Sequence, residues 1–348
     1  MNKTYFIRTF GCDANKADSQ RIAAALEKKG YRLAKNIKSA NLVVINSCIV
    51  RQSAENRVYG LIKNLLPIAH HPLSIILTGC LAGWALRDKS GKNLAQLRKR
   101  IGEKIEIIST EELADFSVSP LRNQEVRNEK TALIPISWGC SHFCSYCIVP
   151  YARGRLWWRD KKEILAEAKR AVAEKKNKIV LLGEVVNNYP HFAELLAAVA
   201  AMPGVKLVEF FSPNPWNFPD ELIEVIAIHD NISKTIHLPV QSGSDEILKK
   251  MRRPYTVTKY LSLIERIKSQ IENVKFTTDF IVGFPGETRK QFESTVKLCR
   301  KIGFSKAYIN RYSPRPGTLA AKLYPDDVSP REKKRRWWVL EKLVNEKK

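Results

Sequence analysis

Short apolar runs separated by helix-length stretches recur along the whole chain, and this rhythm restricts the fold more than any other feature. A strand that is apolar without alternation buries both faces, as in a parallel sheet covered by helices. In the first part of the chain, strands are expected at Thr4–Arg8, Leu42–Ile45, Ser74–Leu77 and Ile105–Ile108. Helices are expected at Ser19–Lys29, where Ile22, Ala23 and Leu26 share a face and Gly30 is the stop signal, and at Glu55–Leu66. A polar stretch, Ser117–Lys130 with Pro120, interrupts the pattern and is placed as a linker. The alternation then restarts. Strands are expected at Ala132–Ser137, Ile179–Leu182, Leu207–Phe211, Thr235–Leu238, Phe276–Val282 and Ala307–Tyr312, with helices between them at Lys161–Glu174, Phe192–Val199, Pro219–Ala227, Asp245–Met251, Thr258–Gln270 and Lys290–Ile302. The expected fold class is α/β. It comprises a parallel-sheet domain over 1–116, a linker over 117–130, a partial (β/α)6 TIM-like barrel over 131–330 and a basic helix over 331–348.

The 348 residues carry 59 Lys and Arg against 35 Asp and Glu, a formal net charge of +24. So large an excess repels itself unless it meets something acidic, and nucleic acid is the expected partner; a generally basic, solvated surface is the bland alternative. No apolar run reaches the roughly 18 residues a membrane span needs. The mixed, strand-like stretch from Met1 to Phe10 does not resemble a signal peptide, so a cytoplasmic location is expected. Seven cysteines in such a setting point to metal ligation before disulfides.

Cys140, Cys144 and Cys147 form a CxxxCxxC loop directly after the first expected barrel strand. Three thiolates so spaced can hold three irons of a [4Fe–4S] cube and leave the fourth open to a small molecule. A structural zinc site closed by His142 is the alternative. Cys12, Cys48 and Cys80 lie far apart in sequence, yet each follows an apolar strand of the first domain. Parallel sheets place their sites at these strand ends, so the three are expected to converge and hold a second cluster; three buried small residues are the alternative. Cys299 reads as a core residue of a helix beside Val296, Leu298 and Ile302.

The CxxxCxxC loop at the end of a first strand resembles the radical S-adenosylmethionine (SAM) superfamily, whose reduced cluster cleaves SAM to a 5′-deoxyadenosyl radical. With both cysteine sets in view, nearly the whole chain resembles the methylthiotransferases. The likeness is carried by Gly11-Cys12 with Asn15 and Asp18-Ser19, by Asn46-Ser47-Cys48, by Thr78-Gly79-Cys80 and by Cys147 to Arg155. The segments His237–Ser244, Asp279–Thr288 and Tyr312–Thr318 complete it. Val50 to Asn56 and Ile148 to Arg155 are most similar to the MiaB branch, which inserts a methylthio group at carbon 2 of N6-isopentenyl-adenosine beside the anticodon. Sister branches act on threonylcarbamoyl-adenosine in tRNA or on an aspartate of a ribosomal protein. A non-catalytic iron–sulfur RNA-binding protein is the remote alternative.

The resemblance implies two [4Fe–4S] clusters and SAM as cofactors, the tRNA anticodon stem-loop as substrate, a flavodoxin- or ferredoxin-like electron donor and a monomeric state. It implies that one SAM methylates a sulfur carried on the cluster of Cys12, Cys48 and Cys80. Another is cleaved at the cluster of Cys140, Cys144 and Cys147, and the methylthio group passes to carbon 2. Tyr146 is expected near the SAM adenine, Gly183 and Glu184 at its amino group, and Ser212, Gln241 and Asp279 at its carboxylate or ribose. Arg153, Arg155 and Arg311 are expected to hold RNA phosphate or orient the substrate, a solvated face being the alternative; Trp157 and Trp158 are expected to bury against the first domain, with stacking on anticodon-loop bases as the alternative. The chain departs from the family in three places. Trp138 stands where a basic residue is frequent, Glu184 replaces a glutamine, and the chain stops at Lys348 where the family continues into a small RNA-binding barrel, the TRAM domain.

Overall fold

The computed structural model describes residues 3–68, 73–114 and 130–346. Most of the expected linker lies outside these residues. By compactness the chain forms two units, Met1–Ser141 with Ile148–Trp157, and His142–Cys147 with Trp158–Lys348. This division differs from limits at 116 and 131, and the reason is local. Helix α6 (Val149–Arg153) packs on α3 (Cys80–Leu86), where a side chain at Gly83 would stand 2.1 Å from the Ala152 carbonyl oxygen. Arg87 also donates to that oxygen at 3.1 Å. The residues after the cysteine loop therefore belong with the first sheet.

The first unit is built on a five-stranded parallel sheet of β1 (Thr4–Thr9), β2 (Arg32–Leu33), β3 (Leu42–Ser47), β4 (Ser74–Gly79) and β5 (Glu106–Ile107), in the order β2-β1-β3-β4-β5. Every residue of β3 is buried. Its alternate side chains serve two cores. Val43 and Ile45, with Ile75 and Leu77 of β4, pack against Val58, Ile62 and Leu65 of α2 (Gln52–Leu65). Leu42, Val44 and Ile76 pack against Ile22 and Leu26 of α1 (Asp13–Lys28) and Leu113 of α5 (Thr110–Leu113). Helix α4 (Lys92–Ile101) adds Leu97 and Ile101 to the first of these cores. Strands β6 (Thr131–Pro135) and β7 (Ser137–Trp138) complete the described part of this unit before the cysteine loop.

Helix α1 begins six residues before the expected Ser19. Its first turns turn polar side chains inward, and Asn15, Asp18, Ser19, Gln20 and Arg21 are all buried. A search for apolar periodicity cannot see such a face. Helices α3 and α4 were likewise absent from the expected elements.

After the short β8 (Trp157–Trp158), the second unit alternates as expected. Its strands are β9 (Lys178–Leu182), β10 (Leu207–Phe210), β11 (Thr235–His237), β12 (Lys275–Val282) and β13 (Lys306–Arg311). Its helices are α7 (Lys161–Ala173), α8 (Phe192–Ala200), α9 (Asp220–Ile228), α10 (Asp245–Lys250), α11 (Val257–Gln270) and α12 (Arg289–Ile302), followed by α13 (Leu319–Leu323) and α14 (Pro330–Leu340). All strand pairs here are parallel, β9 with β10 and β11-β12-β13, and a bridge from Val208 to Ile232 continues the series. In β12, Phe276, Thr278, Phe280 and Val282 are buried while Thr277, Asp279 and Ile281 stay half-open. One face of the strand thus packs on helices and the other keeps polar groups accessible. No helix of the described residues is long and apolar enough to cross a membrane.

Candidate functional site

The three N-terminal cysteines stand at the carboxyl ends of adjacent strands. Ser47 of β3 registers with Gly79 of β4, so Cys48 and Cys80 leave the sheet side by side. Cys80 is the first residue of α3, and Cys12 caps α1 beyond β1. Cys48 and Cys80 are buried, whereas Cys12 is exposed. Buried Asn15 links this group: the Cys12 thiol donates to its Oδ1 at 3.4 Å, and its Nδ2 lies 3.9 Å from Cys80 Sγ, 3.1 Å from Asn46 Oδ1 and 3.2 Å from the Ser47 carbonyl oxygen. Asn46 in turn donates to the Asn15 carbonyl oxygen at 2.8 Å and to Ser19 Oγ at 2.9 Å. Such a network fixes the strand ends that present the sulfurs.

Gly79 is required by this geometry. Its φ is +83°, and a Cβ there would stand 2.3 Å from Asn46 Oδ1 and 2.5 Å from the Ser47 carbonyl oxygen. Gly79→Ala is expected to cost about 3 kcal/mol from backbone strain and overpacking together. The check is a lower urea midpoint together with lower iron retention than in wild type; an unchanged midpoint would contradict the close approach.

Arg153 is not on the surface, as a phosphate contact requires. Its side chain is 8% exposed and its Nη2 lies 2.7 Å from Asp18 Oδ2, with Asp18 1% exposed. The other carboxylate oxygen of Asp18 accepts from Trp138 Nε1 at 3.2 Å. The Trp138 ring carries the Arg21 guanidinium 5.5 Å from its centroid and stacks on Trp157 at 5.2 Å. The aromatic at position 138 therefore serves a buried polar cluster, and Arg153 neutralises a helix carboxylate. Immediately beyond, Cys140 N donates to the Gly154 carbonyl oxygen at 3.1 Å, and a Cβ on Gly139 (φ +70°) would meet the Arg155 carbonyl oxygen at 2.3 Å. Asp18 thus anchors the segment on which Cys140 rests.

In the second unit the cysteine loop is clasped by residues that sequence reasoning did not single out. Ser145 donates from Oγ to the Lys250 carbonyl oxygen at 2.7 Å and from N to that of Met251 at 3.0 Å, and its own carbonyl oxygen accepts from Ala320 N at 2.7 Å. Arg253 Nη1 lies 3.6 Å from Cys144 Sγ. Tyr146 packs against a core of Ile247, Met251, Phe284, Tyr312 and Ala320, and burial pushes its phenol pKa well up. His142 is engaged elsewhere: its Nε2 bonds the Asn188 side chain, and its ring meets Trp216 edge-on at 4.9 Å. Burial first, and the nearby Arg253 charge second, lower its pKa. The described residues gather no three His, Cys, Asp or Glu side chains at the spacing of a single metal ion. A four-iron cube, whose thiolates sit on separate corners, does not require that spacing.

The remaining SAM candidates cluster at strand ends. The Phe211 amide donates to the Leu181 carbonyl oxygen at 3.3 Å, so Ser212 leaves β10 at the level where Gly183 and Glu184 leave β9. Ser212 and Gln241 both adopt positive φ, +60° and +70°, a conformation that non-glycine residues keep only when the surroundings impose it. The Gln241 amide donates to the Asp279 carbonyl oxygen at 2.8 Å, which brings those two together. One carboxylate oxygen of Asp279 is engaged by His237 Nε2 at 2.9 Å, and His237 Nδ1 bonds Thr277 Oγ1 at 2.9 Å. Arg155 and Arg311 are exposed. Trp157 and Trp158 are 38% and 49% exposed, against the expectation of burial; Trp157 stacks on Trp138.

The Radical SAM superfamily model matches residues 134–299, and that of Uncharacterized protein family UPF0004 matches residues 4–99. Among solved structures, the radical S-adenosylmethionine methyltransferase TsrM from Kitasatospora setae shares the fold at a TM-score of 0.66 and 15% identity, over 92% of this chain and 75% of that one. The cobalamin-dependent radical enzyme OxsB follows at 0.58 and 12%, over 97% of this chain and 56% of that one. Fold and motif together define a radical-SAM enzyme, a class that implies a [4Fe–4S] cluster and SAM. The tRNA-2-methylthio-N(6)-dimethylallyladenosine synthase of Clostridium botulinum is 38% identical over 98% of this chain and 81% of its own length. Those of Acidothermus cellulolyticus and Carboxydothermus hydrogenoformans are 40% and 38% identical, over 94% and 99% of this chain and 70% and 83% of theirs. The chain belongs to this family of radical-SAM methylthiotransferases.

Proposed function

We propose that this enzyme inserts a methylthio group at carbon 2 of N6-isopentenyl-adenosine beside the anticodon of tRNA. We further propose that it does so with two [4Fe–4S] clusters, one on Cys140, Cys144 and Cys147 and one on Cys12, Cys48 and Cys80. The observation that carries the reading is the second set: three cysteines distant in sequence leave neighbouring strands, with Asn15 bonded to two of them. Buried polar groups need hydrogen-bond partners, and here those partners are the residues that flank the sulfurs.

The donor sets fit the groups, since thiolates are the ordinary ligands of iron–sulfur cubes and three leave one corner for an exogenous molecule. When bound, the clusters with SAM supply the radical that an unactivated aromatic C–H requires and the sulfur that replaces it. The chain's own groups position the reactants. Tyr146 offers an apolar ring beside the SAM adenine. Gly183, Glu184, Ser212 and Gln241 present backbone and polar groups to its amino acid and ribose ends, and His237 orients the Asp279 carboxylate among them. Exposed Arg155, Arg311, Trp157 and Trp158 meet the RNA by phosphate pairing and stacking. The enzyme works as a monomer supplied by a flavodoxin- or ferredoxin-like donor.

The test is reconstituted enzyme with SAM, sulfide, reductant and tRNA bearing isopentenyl-adenosine, read by nucleoside mass spectrometry. The expected product is the 2-methylthio nucleoside. Product only with threonylcarbamoyl-adenosine tRNA, or only on a ribosomal protein, would move the enzyme to a sister branch. The net charge of +24 also predicts that tRNA affinity falls steeply with salt, by a log–log slope of roughly 0.7–0.9 per phosphate contacted. A flat salt response in filter binding would contradict an electrostatic RNA interface.

A further inference from the structure

Arg253 is a half-buried cation beside a cysteine of the SAM-cleaving loop. Just beyond the Met251 cap of α10, Arg252 takes φ +56°, a left-handed turn usually left to glycine. The turn aims the next side chain at the loop, and the Ser145 bonds to Lys250 and Met251 fix the distance. The guanidinium then makes three directed contacts: Nη1 to Cys144 Sγ at 3.6 Å, Nη2 to the Pro239 carbonyl oxygen at 3.0 Å, and Nε to Tyr255 Oη at 3.2 Å. Its Cζ lies 4.6 Å from the Trp216 ring centroid and 5.3 Å from that of Tyr255. Among the described residues it is ion-paired to no carboxylate. Burial pushes the Tyr255 phenol pKa up, so that neighbour stays neutral. A cation held partly out of water without a counter-charge is costly, and among the described residues one candidate stands beside it, the sulfur of Cys144.

We propose that Arg253 is a positioning residue whose charge-assisted hydrogen bond to the Cys144 thiolate raises the reduction potential of the cluster at Cys140, Cys144 and Cys147. The proposal rests on the assignment of a [4Fe–4S] cluster to those cysteines. A reduced cluster carries one more negative charge than the oxidised one, so a fixed cation at its ligand favours the reduced state, and hydrogen bonds to cluster sulfurs act in the same sense. The reaction needs that reduced state before SAM is cleaved.

The test compares Arg253→Gln and Arg253→Lys with wild type, all in a Cys48→Ala background so that one cluster is read, by EPR-monitored redox titration. Arg253→Gln is expected to lower the ratio of reduced to oxidised cluster at a fixed potential by about tenfold, the size of a lost charge-assisted hydrogen bond. Arg253→Lys, which keeps the charge, is expected to recover part of it. Equal potentials in equally loaded proteins would overturn the proposal. Pulsed EPR of the Cys48→Ala protein with 15N-labelled arginine, otherwise unaltered, gives a check that does not depend on how the Arg253 variants fold. Hyperfine coupling from a guanidinium nitrogen is expected, and a cluster signal without it would contradict the proposal. Absence of any cluster in that protein would instead remove the assignment beneath it.

Discussion

Asp18→Ala is expected to destabilise the first unit by about 3–5 kcal/mol, the cost of leaving one partner of a buried ion pair without the other. The side chains of Asp18 and Arg153 are 1% and 8% exposed, and their atoms meet at 2.7 Å. Removal of the carboxylate would also take away a hydrogen-bond acceptor of the Trp138 indole N–H, which is itself buried. Asp18→Asn leaves an acceptor for the indole but removes the charge that faces Arg153, so most of the loss should persist. Chemical denaturation followed by tryptophan fluorescence reads both variants. Because Arg153 and Gly154 lead directly to the Gly154 oxygen that receives Cys140 N, iron content should fall with stability. An unfolding free energy within about 0.5 kcal/mol of wild type would show that the pair contributes nothing.

The second large effect separates the two cysteine sets. Cys144→Ala is expected to reduce 5′-deoxyadenosine formation from SAM to the uncatalysed background, a loss of at least about 10³-fold, because on the proposed assignment cleavage depends on an electron delivered through a cluster held by that loop. Cys48→Ala should retain 5′-deoxyadenosine formation within about tenfold while yielding no methylthio nucleoside. Liquid chromatography with mass detection reads both products from one reaction. If Cys48→Ala made product normally, the first-unit cysteines would be structural only.

Much of this was legible in the sequence because it follows from local pattern. Short continuous apolar runs rich in β-branched residues, such as Leu42–Ile45, fit strands covered on both faces, and β3 sends Val43 and Ile45 to one core and Leu42 and Val44 to the other. Cys48 and Cys80 could be placed at strand ends because each follows such a run. The start of α1 could not. Asn15, Asp18 and Arg21 face inward there, and polar residues on the inner face of a helix look like solvent-exposed ones until their partners are known. The same blindness misplaced Arg153. An arginine in a basic chain is most often solvated, and only the fold reveals that Asp18, distant in sequence, lies opposite it. Arg253 carries no local mark at all, since its relation to Cys144 arises from a turn and a pair of backbone contacts through Ser145.

The most direct measurement is Mössbauer spectroscopy with iron and sulfide quantitation on anaerobically reconstituted wild type, Cys48→Ala and Cys144→Ala. About eight irons per chain in wild type, all in [4Fe–4S] form, with about four remaining in each variant, is the predicted result. One cube in the wild-type protein, or the loss of all iron on removal of either cysteine, would contradict two independent clusters.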